Sequence, residues 1–138
     1  MTRFSNDVNA LERWLRHQRR SYMEPLGLKG IHARLVMAIC RDPGCSQDRL
    51  AKQMRFDKST IARQLELMES MGYVERKASQ KDKRMLCVYP TEKMQQFQPG
   101  LEAAMDEWEE ELLRELTPEE KELLMSLLEK VRDSVEAV

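Results

Sequence analysis

Between Asp57 and Arg84 the chain reads DKSTIARQLELMESMGYVERKASQKDKR, and two groups of its side chains could do recognition chemistry. The first is Lys58, Ser59, Thr60, Arg63 and Gln64, in the opening turns of a helix that Asp57 caps. Short hydroxyls, an amide and a guanidinium reach base edges and phosphates, whereas an ordinary solvated helix face is dominated by Glu and Lys pairs. Advancing about 100° per residue sets Ser59, Arg63, Glu66 and Ser70 opposite the apolar Ile61, Leu65 and Met68, with Thr60 and Gln64 on the flanks. The second group is Lys81, Asp82, Lys83 and Arg84, at the tip of an expected hairpin. With Arg76 and Lys77 it places five positive charges within nine residues, a basic tip suited to tracking phosphates or entering a narrow minor groove. Catalytic chemistry has no comparable material. The chain lacks a glycine-rich phosphate loop, a nucleophile motif and a metal-ligand run, and two isolated histidines are poor material for zinc. No catalytic residue, metal or cofactor is expected.

These groups need elements to hold them. Ser46 caps a short helix, SQDRLAKQM, with Asp48 in the first turn where the helix dipole favours an anion and Leu50, Ala51 and Met54 facing inward. Ser46 also joins the candidate nucleic-acid contacts. Arg55-Phe56 makes the turn into the Asp57 helix, and two short helices so joined form a helix-turn-helix whose second helix reads bases with its amino-terminal residues. Gly72 supplies a left-handed cap. Tyr73–Ala78 then reads as a strand with Val74 inward, and Arg84–Tyr89 as a second with Leu86 and Val88 inward.

Upstream, Ser5 is the expected cap of a helix over about residues 5–22, where Val8, Leu11, Leu15, Gln18 and Tyr22 recur at helical spacing until Pro25 and Gly27 end it. Arg13, Arg16, Arg19 and Arg20 lie mostly off that stripe, forming a solvated face or one that takes an anion. A second helix covers Lys29–Arg41, with Ile31, Leu35, Ala38 and Ile39 inward and Asp42-Pro43-Gly44 as its stop. After Thr91 a helix carries Met94, Phe97, Leu101, Met105, Trp108 and Leu112 on one stripe. Pro99 within it costs about 3 kcal/mol and predicts a kink rather than two helices. Thr117-Pro118-Glu119-Glu120 is a capping box, and the last helix is expected to run to about Ala137.

The turn and helix PGCSQDRLAKQM, the segment FDKSTIARQLELMESMGYVERK and the pattern KDKR followed by Thr91-Glu92-Lys93 together resemble the MarR family of bacterial transcriptional regulators, over nearly the whole chain. The Asp-x-Arg of Asp82 and Arg84 is the most specific part. The resemblance implies that Arg84 reaches the minor groove and that Asp82 positions it, which a carboxylate two residues away can do through charge-assisted hydrogen bonds. Pro90 stands where the family commonly has leucine, and Met94 where glycine usually follows. Both bear on how the second strand hands over to the next helix. The resemblance also implies a pocket between the dimerisation helices and the winged region for a small aromatic or anionic effector. Trp14, His17, Tyr22, His32 and Met105 are its candidate wall residues. Sensing of oxidants through a first-helix cysteine is disfavoured, since residues 1–39 contain none.

Composition fits this picture. In 138 residues, 41% apolar and 34% charged, there is material for one core. The mean hydropathy of -0.65 excludes a membrane span, and the amino terminus lacks the apolar stretch of a signal peptide, so a cytoplasmic location is expected. Three cysteines, Cys40, Cys45 and Cys87, fit reduced thiols better than a disulfide scaffold. The net charge of -1 hides an asymmetry: +2 over residues 1–28, +6 over 29–93 and -9 over 94–138. One face is thus suited to a polyanion.

Leu123, Leu124, Leu127, Leu128, Val131 and Val135 form a stripe wider than one partner helix would bury, so a second chain is expected to cover the excess. The expected fold class is mainly α: one unit over 1–138, with a winged helix-turn-helix region and two-stranded wing over 29–93 and helical dimerisation segments over 1–28 and 94–138. The function it predicts is sequence-specific binding of double-stranded DNA as a homodimer on a pseudo-palindrome, as a ligand-released repressor. The competing expectation is a winged helix that meets an acidic partner protein without reading DNA.

Overall fold

A helix begins where a side chain or a turn can take up its first free N–H groups, and this rule sets most boundaries in the computed structural model, which describes residues 2–136. Helix α1, Arg3–Met23, starts at Thr2, whose hydroxyl oxygen accepts from the Ser5 N–H at 3.2 Å. The cap therefore lies three residues before the one expected at Ser5. A short 3₁₀ turn, Glu24–Leu26, closes on Gly27 at φ 76°, a conformation that glycine enters without strain. Helix α2, Gly30–Arg41, buries His32, Ala33, Leu35, Val36 and Ile39. Its inward face is thus turned from the expected one: Ile31 and Ala38 are only half-buried, and His32 takes a core place.

Strand β1 is two residues, Cys45–Ser46, and adds a third strand to the two expected. It pairs antiparallel with β3, Leu86–Pro90, which in turn pairs with β2, Val74–Ala78, so the sheet has three strands in the order β1-β3-β2. The register runs from Val74 opposite Pro90 to Ala78 opposite Leu86. Both wing strands are shorter than expected: Tyr73 lies outside β2, and Arg84 lies in the turn before β3. Val88 points inward as expected, but Leu86, two residues nearer the tip, is beyond the reach of the core and exposed.

Helix α3, Gln47–Met54, is capped by Ser46, whose Oγ accepts the Arg49 N–H at 3.1 Å, and it buries Leu50, Ala51 and Met54. Arg55 turns the chain at φ 58°, and helix α4, Lys58–Ser70, starts at Asp57, whose Oδ1 accepts the Thr60 N–H at 2.8 Å. Ile61, Leu65 and Met68 of α4 are fully buried, with Leu35, Ile39, Leu50, Val74, Val88, Met94 and Leu101 also in the core. Gly72 turns the chain out of α4 at φ 82°.

Thr91 and Lys93 give the TEK segment a structural purpose. The Thr91 hydroxyl donates toward the Gly72 and Tyr73 carbonyls at 2.6 and 2.9 Å, and Lys93 Nζ donates to the Met71 carbonyl at 2.8 Å. They take up carbonyls left free where α4 ends, a place where positive charge is favoured. Pro90 does little harm at the strand end, because the next residue resumes the pattern: the Thr91 N–H donates to the Tyr73 carbonyl at 3.0 Å.

Helix α5, Glu92–Leu112, runs unbroken through Pro99, in line with the expectation of one helix. The chain divides into two compact units, Met1–Ala104 and Met105–Val138, with α5 continuing from the first into the second. In the second unit helix α6, Pro118–Glu136, opens with the expected capping box: the Thr117 N–H donates to Glu120 Oε1 at 2.9 Å, and the Glu120 N–H donates to Thr117 Oγ1 at 3.2 Å. The end expected near Ala137 lies outside the described residues. Leu123, Leu127, Leu128, Val131 and Val135 on α6 are each 47–59% exposed. Among the described residues no helix is long and apolar enough to cross a membrane.

Candidate nucleic-acid interface

The opening turns of α4 carry the first group. Lys58, Ser59 and Arg63 are exposed, while Thr60 and Gln64 are half-buried. Lys58 Nζ lies 3.5 Å from Asp48 Oδ2, a surface pair that links the first turns of α4 and α3 and leaves the lysine open to solvent. Ser46 is half-buried as the cap of α3. Gln64 departs from the expected outward pose: its Oε1 lies 2.7 Å from His32 Nε2. The other ring nitrogen, Nδ1, accepts the Lys29 N–H at 2.9 Å, so the neutral ring carries its hydrogen on Nε2 and donates it to Gln64. Burial holds the His32 pKa below its ordinary value, with the nearby Lys29 charge adding to that effect, while the Gln64 hydrogen bond opposes it.

The wing tip is held by two short side chains. Ser79 Oγ accepts the Lys81 N–H at 3.2 Å and the Asp82 N–H at 3.4 Å. Asp82 Oδ1 accepts the Arg84 N–H at 3.0 Å and its Nε–H at 3.3 Å. Arg84 is nevertheless 92% exposed, so the guanidinium is oriented before any partner arrives and remains free to meet one. Lys81 and Lys83 are exposed beside it. Ser79 was not singled out from sequence, although a serine two residues before a turn N–H is a recognisable turn former.

Arg76 is a correction to the five-charge wing. Its side chain is 17% exposed; Nη2 meets Glu69 Oε1 at 3.0 Å, Nη1 meets Gln47 Oε1 at 3.3 Å, and its backbone N–H donates to Glu69 Oε2 at 3.0 Å. It clamps β2 to α4 and α3 instead of facing outward, and its bonds hold the Glu69 carboxyl below the usual carboxylate range. Lys77, on the strand, sits 5.5 Å above the Tyr89 ring and 3.5 Å from Glu75 Oε2, which leaves Lys81, Lys83 and Arg84 as the tip charge.

The effector candidates lie in different surroundings. A cavity of about 280 Å³ lies between α1, α2 and the turn into α4, lined by Arg16, Arg19, Arg34, Glu12, Ile31 and Phe56 among others. A shallower one of about 200 Å³ is lined by Arg13, Arg16, His17 and Arg20. His17 is the expected wall residue that borders one of these two; Trp14 and Tyr22 border neither, His32 is buried and bonded to Gln64, and Met105 belongs to the second unit. The walls of both cavities are built largely from arginines, among them Arg13, Arg16, Arg19 and Arg20, whose place off the apolar stripe of α1 suits either a solvated face or one that takes an anion. The Cys40 and Cys45 thiols are pushed up by burial, so both stay protonated and poorly nucleophilic.

Two short helices joined through Arg55, the second capped and polar at its start, beside a hairpin with an ordered basic tip, define a winged helix-turn-helix transcriptional regulator. The chain belongs to the MarR family. A sequence model of that family matches residues 26–85, and HTH-type transcriptional regulator BilQ from Clostridium symbiosum (strain WAL-14163) is 36% identical over 102 residues, which is 74% of this chain and 71% of that protein. Among solved structures, a MarR protein from Peptoclostridium difficile matches with a TM-score of 0.94 at 25% identity, over 99% of this chain and 89% of that one. A MarR family regulator from Listeria monocytogenes, solved in complex with 26mer DNA, matches with a TM-score of 0.90 at 24% identity, over 98% of this chain and 90% of that one.

Proposed function

We propose that this regulator binds a pseudo-palindromic DNA operator as a cytoplasmic homodimer, acts there as a repressor, and is released by a small anionic aromatic ligand. The observation that carries DNA binding is the wing tip: Arg84 is oriented by Asp82 and exposed, in the same unit as a helix whose first turns present Lys58, Ser59, Thr60, Arg63 and Gln64 away from the buried Ile61. In this reading α4 enters the major groove with Ser59, Thr60, Arg63 and Gln64 toward the bases. Ser46 and Lys58 meet phosphates, and Lys81, Lys83 and Arg84 anchor the wing. The Listeria monocytogenes protein of the same fold was solved with DNA, which supports it. Homodimerisation is supported by the exposed leucine and valine face of α6, and pairing two copies sets the recognition helices about one DNA turn apart. Ligand release is supported by the cavity that Arg16, Arg19 and Arg34 line together with Phe56 and with Glu12, which pairs Arg19 at 2.8 Å, because Phe56 immediately precedes the cap of α4 and an anion seated there would bear on the start of that helix.

Titration of duplexes from the neighbouring promoter tests the core of the proposal. Affinity should drop roughly a thousandfold or more between about 50 and 200 mM salt, as phosphate neutralisation releases counterions. An aromatic carboxylate such as benzoate should weaken binding of the wild type more than that of Arg34→Ala. Absence of binding to any promoter duplex at low salt would refute the DNA-binding function.

A further inference from the structure

Gln64 stands in the second turn of α4, on the flank between the buried Ile61, Leu65 and Met68 and the outer Ser59 and Arg63. A free glutamine at such a place offers a carbonyl and an amino group side by side, the pair that matches the donor and acceptor of adenine in the major groove. Here the two ends are not equivalent. The carbonyl oxygen is 2.7 Å from Nε2 of His32, a residue with 0% exposure, so the oxygen is directed into the protein. The choice of amide orientation follows from the network rather than from the glutamine alone. The Lys29 N–H needs an acceptor at Nδ1, Nε2 must therefore carry the hydrogen, and only the oxygen of Gln64 can receive it. The Gln64 amino group, turned away from the ring, has no acceptor among the described residues.

We infer that His32 is a specificity-determining positioning residue: by holding the Gln64 oxygen inward it makes Gln64 a donor-only reader, which favours guanine, with acceptors at both N7 and O6, or thymine O4, over adenine, whose N7 acceptor stands beside an N6 donor that the amide can then no longer accept. This rests on the proposal that α4 lies in the major groove. His32 itself touches no base. It acts from the capping turn of α2, 32 residues away in sequence, where its ring takes the part that Glu or Gln has in an ordinary capping box. The low pKa that burial gives the ring keeps Nδ1 available as an acceptor near neutrality, so the amide stays oriented under ordinary conditions.

The test uses the full-length protein and a selected operator in which each base pair of a half-site is replaced in turn, with affinities read by fluorescence anisotropy. Gln64→Ala should flatten the preference at one base pair per half-site, and in the wild type that pair should favour guanine or thymine on the contacted strand. His32→Asn keeps an acceptor near the Nδ1 position for the Lys29 N–H but withdraws the Nε2 donor. It should shift the preference at that same pair toward adenine by about fivefold or more, the size expected for gaining one bidentate contact. His32→Gln places an amide donor close to where Nε2 stood and should restore the wild-type preference. In a Gln64→Ala background His32→Asn should change no preference further. Circular dichroism and melting establish that each variant is folded, and His32→Gln together with Gln64→Ala decides the matter should His32→Asn be unstable. A His32→Asn protein that loses affinity by the same factor on every duplex would overturn the inference, as would a wild-type preference for adenine at the Gln64-dependent pair. Wild type that reads its operator with Gln64→Ala unaltered at every position would overturn this inference alone, whereas wild type that binds no duplex would remove the DNA-binding function beneath it.

Discussion

At the scale of single residues, what was readable from sequence was what is local. Asp82 and Arg84 are two apart, and an acid so close to an arginine at a hairpin tip has little choice but to bond it, as the 3.3 Å contact shows. Arg84→Ala should weaken binding to all duplexes about equally and reduce the magnitude of the salt slope by roughly one, the mark of a lost phosphate or groove charge rather than of base readout. Asp82→Ala should lower affinity less, since the charge survives and only its orientation is lost. Arg76 and His32 could not be read in the same way. Their partners Glu69, Gln47 and Gln64 come from other elements, and nothing in local spacing distinguishes a clamp arginine from a wing arginine.

His32 also gives a pH dependence whose sign is fixed. Its folded-state pKa lies below the ordinary 6.5, so between those two values the unfolded chain binds more protons than the folded one. The stability due to the neutral ring is therefore fully present above 6.5 and is lost as pH falls through the folded value. The melting temperature should decline on going from about pH 7.5 to about pH 5, and by less in His32→Gln, which has nothing to titrate there. Equal declines in the two proteins would remove His32 as the cause.

At the scale of elements, the helices were legible because each has a periodic apolar stripe and a cap chemistry that a sequence displays. Ser46, Asp57 and the Thr117 box all cap as expected. Strands were less so. β1 has two residues and no alternation to read, and its existence depends on Val88 and Cys87 of β3 arriving beside it. The same dependence explains why Leu86 was misplaced: alternation assigns it to the inner face, but the core does not extend to the tip of the wing. The element that matters most to the site is α4, which is seated by three fully buried side chains and held at its end by Thr91 and Lys93. Leu65→Ala should destabilise the protein by about 2–5 kcal/mol in denaturant unfolding, through lost burial and the cavity left behind. A cost well under 1 kcal/mol would mean that the α4 seat is far looser than its burial indicates.

At the scale of the whole molecule, the remaining question is what covers the apolar faces at the two ends of the chain. On α1 Phe4, Val8 and Leu11 are exposed, and on α6 five leucines and valines are about half exposed or more. A leucine or valine left in water forgoes about 1.5–3 kcal/mol relative to full burial, and a helix that does so with a whole stripe has a sequence suited to a second chain. The acidic residues concentrated after residue 93 leave this stripe untouched, as expected where apolar contact draws two copies together and charge keeps the outer surface soluble. Paired Leu127→Glu and Leu128→Glu substitutions should convert the protein to a monomer in sedimentation while leaving the Thr117 cap and the Met1–Ala104 core intact. Operator affinity should then fall far more than binding to an isolated half-site, because one recognition helix and one wing act without the partner set a DNA turn away. Truncation before Thr117 should do the same at greater cost in stability. A doubly substituted protein that still sediments as a dimer and holds its operator would exclude α6 as the assembly face and turn attention to the exposed stripe of α1.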